Sequence, residues 1–190
     1  FGNKVGGDMK ISAAEIYHEK YPQRDNVHYP LLEQRVESPL LWTAETPHLY
    51  TLILSLYDSE GALVEARSTK VGFREVKISG QQFLVNGVPV KLYGVNRHDH
   101  SDYGGKCVTR QEMEADIRLM KQFNFNSIRT CHYPNDPYIY ELCDRYGLYV
   151  MDEANLETHA VGGQISNDPS WVSSFLERAT RMVIRDRNHP

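Results

Sequence analysis

Three clusters of polar side chains carry the chemistry available to this chain, and each follows a short apolar run. The first is Asn96-Arg97-His98-Asp99-His100, the second is Arg129 with His132-Tyr133, and the third runs from Asp152 to His159. Imidazole rings hydrogen-bond hydroxyl groups and move protons near neutral pH. Taken singly, a His after a strand more often sits on the surface or caps a loop. Three clusters behind three strands are more than that explanation covers.

The third cluster offers two further kinds of chemistry. Glu157 and His159 are two residues apart, so in an extended segment they share a face and can grip one cation. Glu-x-His is a common tripeptide, and its spacing does not choose between magnesium, which prefers oxygen, and zinc, which favours imidazole. Asp152 and Glu153 invite an acid/base reading. Adjacent residues on a strand point to opposite faces, which keeps them from flanking one scissile bond. Cys107, Cys131 and Cys143 occupy apolar or helical settings and read as packing residues.

The elements that must position these side chains change character along the chain. Up to Arg74 the pattern is β. Tyr50–Tyr57 alternates as a half-buried strand does, Asp58-Ser59-Glu60-Gly61 supplies a turn, and Leu63–Lys70 returns. Leu40-Leu41-Trp42, between Ser38-Pro39 and Thr46-Pro47, reads as a loop that packs a Trp. These strands are too few for a complete immunoglobulin-type sandwich and suit the back end of one.

From Glu75 the pattern becomes α/β. Asn86-Gly87 between two apolar runs is a hairpin signal. Leu92–Val95 is then a short strand, and Thr109 with Glu112 opens a helix through a capping box, with Met113, Ile117 and Met120 on one face. Phe125–Arg129 is a second strand. Asp136-Pro137 starts a helix striped by Ile139, Leu142, Cys143 and Tyr146 and ended by Gly147. Leu148–Met151 is a third strand, and Asp168-Pro169 begins a helix with Val172, Phe175, Leu176, Ala179, Met182 and Val183 facing inward. Strand then helix, three times, predicts a parallel sheet. The carboxyl ends of such strands gather on one face, so the three polar clusters should converge there.

Composition removes several classes of function. With 21 Lys+Arg against 25 Asp+Glu, the formal net charge of −4 offers no footprint for nucleic acid or an anionic membrane. No apolar run approaches the ~20 residues that span a bilayer. The 41% hydrophobic and 24% charged content is that of a globular chain, not a disordered one. Three cysteines without a CxxC pair favour a reducing compartment, cytoplasmic in the first instance with the periplasm as the alternative. The start lacks both an initiator Met and signal-peptide grammar, so a larger parent is expected.

The segments Asn126-Ser127-Ile128-Arg129-Thr130-Cys131-His132-Tyr133-Pro134 and Asp144-Arg145-Tyr146-Gly147-Leu148-Tyr149-Val150 resemble the signature of glycoside hydrolase family 2. So do Val71-Gly72-Phe73-Arg74-Glu75-Val76 and Gly94-Val95-Asn96-Arg97-His98. The run Asp152-Glu153-Ala154-Asn155-Leu156-Glu157-Thr158-His159 is similar to the β-galactosidase branch of that family. The resemblance is strongest from Val71 onward and loosest over the first thirty or so residues.

The resemblance implies residues 1–74 as the C-terminal part of an immunoglobulin-like β-sandwich domain. It implies 75–190 as the first three βα units of a (β/α)8 TIM barrel. It implies a retaining exo-glycosidase acting on a β-galactoside, with His98 and His132 contacting the sugar and stabilising the transition state, and Glu157 and His159 as magnesium ligands. A homo-oligomeric parent follows from the same likeness. The family's acid/base and nucleophile Glu have no counterpart here, because the chain contains no Asn-Glu dipeptide. The 190 residues alone are therefore expected to be inactive without the remainder of the parent. The alternatives are another family 2 glycosidase, a β-glucuronidase or β-mannosidase, or a non-catalytic carbohydrate-binding or structural piece.

Overall fold

A computed structural model describes residues 2–14 and 32–190. The segment expected as sandwich over 1–74 thus includes residue 1 and residues 15–31, which lie outside the described residues. The chain divides into two compact units, Phe1–Leu40 and Leu41–Pro190. In the first, the described residues carry a short 3-10 turn at 13–14 and a Lys4–Asp8 ion pair of 2.8 Å.

The second unit opens on a loop that buries Trp42 completely. Its backbone N–H donates to the Phe73 carbonyl at 2.8 Å and its indole N–H to the Asp144 carbonyl at 2.8 Å, while the ring meets Tyr149 edge-on at 5.6 Å. With Ala44, Val85 and Tyr149 it forms one small core. The loop expected to pack a Trp does so.

Strand β1 (Tyr50–Tyr57) pairs antiparallel with β2 (Leu63–Val71) as an isolated hairpin. Its alternation predicts one buried face, but Leu52, Leu54 and Leu56 are 40–56% exposed and Ile53 is 65% exposed. The reason is tertiary: among the described residues no second sheet lies against either face of the ribbon. A second antiparallel sheet comprises β3 (Val76–Ser79), β4 (Gln82–Val85) and β5 (Val88–Pro89). The β4–β5 turn is Asn86-Gly87, with φ of 52° and 80°, as a type I′ hairpin requires. Asn86 also accepts from the Glu75 N–H and donates to the Trp42 carbonyl, which fixes this sheet to the Trp loop.

The sheet that matters for function is parallel and runs β6 (Gly94–Arg97), β7 (Ser127–Thr130), β8 (Tyr149–Met151). Helix α1 (Arg110–Gln122) follows β6 and carries the expected capping box. The Thr109 side chain takes the Glu112 N–H while the Glu112 carboxylate takes the Thr109 N–H. Helix α2 (Pro137–Tyr146) starts from Asp136, which accepts from the Tyr138 N–H at 2.8 Å. It stops at Gly147, with φ of 80°. A Cβ at Gly147 would stand 2.3 Å from the Ala44 carbonyl oxygen, so glycine is required twice over, by conformation and by space. Met113 and Ile117 of α1 pack with Ile139, Leu142 and Cys143 of α2 and with Ile128 and Leu148 beneath, forming the main core.

Helix α3 (Val172–Asp186), entered through a 3-10 turn at Pro169–Trp171, completes the third strand–helix alternation. Its apolar stripe is covered only in part: α3 buries no residue, Phe175, Ala179 and Met182 are half-buried, and Val172, Leu176 and Val183 are 52–63% exposed. The periodicity is real, but the described sheet ends at β8 and presents no neighbouring surface to the rest of that stripe. Polar contacts also hold the helix. Arg178 donates to the Asn155 carbonyl at 2.6 Å, and Arg185 donates to the Asn135 carbonyl at 3.1 Å and stacks over Tyr140. No helix among the described residues is long and apolar enough to cross a membrane.

Candidate active face at the carboxyl ends of the parallel strands

Strand register sets the first layer of the site. Asn96 and Arg129 are direct partners on β6 and β7, and Arg129 donates to the Asn96 side-chain oxygen at 3.4 Å. The next pair along, Arg97 and Thr130, is buried, at 5% and 0% exposure. The two-residue period of a strand thus sends one pair toward the open face and the other into the protein.

The inward pair serves as scaffold. Arg97 is held by Asp99 at 2.5 Å, Asp116 at 2.9 Å and Asn135 at 3.0 Å, which joins the end of β6 to α1 and to the loop before α2. Thr130 donates to Asp152 at 3.0 Å, and Asp152 also accepts from the Tyr140 hydroxyl at 2.7 Å. Burial is the main influence on Asp152 and raises its pKa above the usual carboxylate range. Burial likewise raises the pKa of the Tyr140 phenol, so it stays protonated and donates.

The outward layer forms around His132. Its Nδ1 lies 3.0 Å from Glu153 Oε2 and 3.1 Å from an Arg129 guanidinium nitrogen, and Arg129 also pairs directly with the other Glu153 oxygen. Burial pushes the Glu153 carboxyl upward, but the Arg129 and His132 contacts outweigh it and leave its pKa below the ordinary range. The ring of His98 meets that of His132 edge-on at 5.4 Å and lies 5.9 Å from the Tyr133 ring. His98 is exposed and His132 half-buried, so both rings border solvent. The Cys131–His132 peptide is cis, and the buried Cys131 backbone N–H donates to the Arg97 carbonyl at 2.9 Å.

The structure therefore brings His98 and His132 together. Glu157 and His159 form a separate pair, with His159 in a 3-10 turn (His159–Val161) and its side chain 94% exposed. Its Nδ1 lies 3.7 Å from Glu157 Oε1, and its backbone N–H donates to the same oxygen at 3.0 Å. Octahedral bonds of 2.0–2.1 Å place adjacent donors about 3 Å apart, so this oxygen and nitrogen fit one edge of a magnesium sphere after a small closure. Both side chains are open enough for waters to complete it.

The structure turns the adjacent Asp152 and Glu153 apart, as neighbours at a strand end should be, Asp152 toward Tyr140 and Glu153 toward His132. Residue types alone do not mark Glu153 and Arg129 as the groups that orient His132. Their position at strand ends, with outward register, was the available signal. Nor are the cysteines alike: Cys131 and Cys143 are buried as expected, whereas Cys107 is exposed. A cavity of about 210 Å³ is lined by Arg74, Tyr140, Asp144, Asp152, Asp186 and His189 among others, and none of His98, His132, Glu157 and His159 borders it.

Residues 3–74 match glycosyl hydrolases family 2, and residues 76–190 match the family 2 TIM barrel domain. The chain is 52% identical over 160 residues to a β-galactosidase of Erwinia tasmaniensis, covering 83% of this chain and 16% of that protein. It is 46% identical over 190 residues to a β-galactosidase of Pectobacterium atrosepticum, covering 99% of this chain and 18% of that one. It thus spans less than a fifth of the length of these curated relatives. Among solved structures, a β-glucuronidase from Ruminococcus gnavus in complex with D-glucuronic acid matches with a TM-score of 0.73 at 28% identity, over 82% of this chain and 26% of that one. A β-D-glucuronidase of Dictyoglomus thermophilum matches with a TM-score of 0.71 at 32% identity, over 82% and 28%. The chain belongs to glycosyl hydrolase family 2, and it carries part of the family's β-sandwich followed by the first strand–helix units of its TIM barrel.

Proposed function

We propose that the protein containing this chain is a β-galactosidase, a retaining exo-glycosidase that removes terminal non-reducing β-D-galactose. The observation that carries the reading is the 46% identity, sustained over 99% of the chain, to a protein of that activity. The likeness to β-glucuronidase structures supports a second reading within the family, at 27–32% identity. Comparing kcat/KM on nitrophenyl β-galactoside and nitrophenyl β-glucuronide with the full-length protein separates the two. A preference for the glucuronide overturns the first.

In this reading the chain supplies recognition and positioning. His98 and His132 hydrogen-bond ring hydroxyls, contacts that strengthen as the sugar approaches an oxocarbenium-like transition state. Glu153 holds the His132 ring in place by accepting from Nδ1–H, and Arg129 holds Glu153 in turn, which leaves Nε2 for the sugar. Retaining chemistry needs two carboxyl groups about 5–5.5 Å apart. Glu153 is committed to Arg129 and His132 and Asp152 to Tyr140 and Thr130, so neither fills those roles. Glu157 and His159 would hold a magnesium ion, which when bound supplies positive charge that lowers the pKa of a nearby carboxylic acid.

The division at Arg74 and Glu75 between sandwich and barrel domains belongs to the same proposal, as does a homo-oligomeric parent. Three cysteines outside any disulfide, one of them exposed, support a cytoplasmic setting.

A further inference from the structure

A soft ligand set lies on the proposed sugar-binding face. His98, Cys131 and His132 each offer a ligand atom, and the three atoms lie within 4.8 Å of one another. Tetrahedral zinc, with Zn–N near 2.0–2.1 Å and Zn–S near 2.3 Å, holds its ligands about 3.5 Å apart, so closure of the triad is a matter of small side-chain rotations. The support for the ring is already present. Metal-bound histidines hand their second nitrogen to a carboxylate, and the Nδ1 of His132 lies 3.0 Å from Glu153 Oε2, itself paired to Arg129. The exposed His98 leaves a path for the ion, while Cys131 is buried at 2% beneath it.

We propose that His98, Cys131 and His132 form a site for a thiophilic divalent transition metal, zinc above all, distinct in ligands and chemistry from the Glu157–His159 pair. Three protein ligands leave a fourth position for water, as open zinc sites do. On binding, the Cys131 thiol releases its proton to solvent and gives up its weak contact with the Arg129 carbonyl at 3.6 Å. The ion takes the nitrogens that the sugar hydroxyls would use, so occupancy competes with the substrate. This last consequence rests on the β-galactosidase reading, whereas the metal site itself does not.

The test titrates Co²⁺ into the full-length protein with Mg²⁺ saturating. The expected result is a thiolate-to-cobalt charge-transfer band that zinc abolishes by displacement. The band should persist in Cys107→Ser and vanish in Cys131→Ser, and His98→Asn should weaken Co²⁺ binding at least tenfold. No charge-transfer band in the unmodified protein, or a band that survives Cys131→Ser, overturns the site. So does unchanged affinity in His98→Asn. Under the same Mg²⁺, Zn²⁺ should raise the KM for nitrophenyl β-galactoside without lowering kcat. A correct cobalt spectrum with purely noncompetitive zinc inhibition removes the competition. A correct spectrum in a protein that hydrolyses no galactoside leaves the metal site standing and removes the sugar reading.

Discussion

The Nδ1 atom of His132 lies 3.0 Å from Oε2 of Glu153, although the two residues are 21 positions apart and sit on different strand ends. The contact fixes the orientation of the ring that borders the solvent face, and Arg129 fixes Glu153 in turn. His132 therefore comes pre-positioned, which is what a contact realised mainly in a transition state requires.

Removing that ring tests its role directly. In the full-length protein, His132→Ala should lower kcat more than it raises KM, by about 2–4 kcal/mol in transition-state stabilisation. Glu153→Ala should reproduce part of the kcat loss with His132 still present, whereas Glu153→Gln, which keeps an acceptor oxygen, should recover some of it. Steady-state kinetics on a nitrophenyl β-galactoside gives the split. Unchanged kcat with raised KM would make His132 a ground-state contact.

The metal pair yields a binding experiment. Glu157→Gln removes the charge from one of two donors and should weaken Mg²⁺ binding to the full-length protein, read by calorimetric titration. Equal affinity in both proteins would clear Glu157 of a ligand role.

Tyr140→Phe probes the scaffold beneath the site. The hydroxyl donates to Asp152 at 2.7 Å and accepts from the Asn135 N–H at 2.8 Å, in a ring that is 2% exposed. Phenylalanine fills the same space but strands the Asn135 N–H and takes one donor from Asp152, which keeps those of Thr130 and the Glu153 N–H, so urea unfolding should show a loss of about 1–3 kcal/mol. A change near zero would mean that water replaces the hydroxyl.

A pH dependence follows from His189 and Asp144, whose side chains meet at 2.6 Å. The hydrogen bond to Asp144 raises the pKa of His189 above 6.5. Burial raises that of Asp144 above 3.8, against the pull of the His189 contact. Both groups bind protons more tightly folded than unfolded. The His189 contribution is thus complete below pH 6.5 and is lost as pH rises through its folded value. The melting temperature should fall across that window, and His189→Gln should flatten the fall. Parallel profiles for the two proteins would show that the pair carries no linkage.

Much of the local structure was written in the sequence because its causes are local. The Thr109/Glu112 capping box, Asp136-Pro137 before α2, Gly147 after it and the Asn86-Gly87 turn all act through neighbouring backbone, and each stands where the residue types require. The parallel order of β6, β7 and β8 followed from strand–helix alternation, and the strand ends then placed His98 and His132 on one face. Burial was not legible in the same way. The alternation of β1 and the stripe of α3 both promise covered faces, yet Leu54 is 56% and Leu176 63% exposed, because a pattern states which face is apolar and not what packs against it. The Arg129–Glu153–His132 cluster and the approach of Cys131 to both imidazoles were equally out of reach. They depend on register between strands and on the path of the chain past β7, and those distances are set only when the sheet closes.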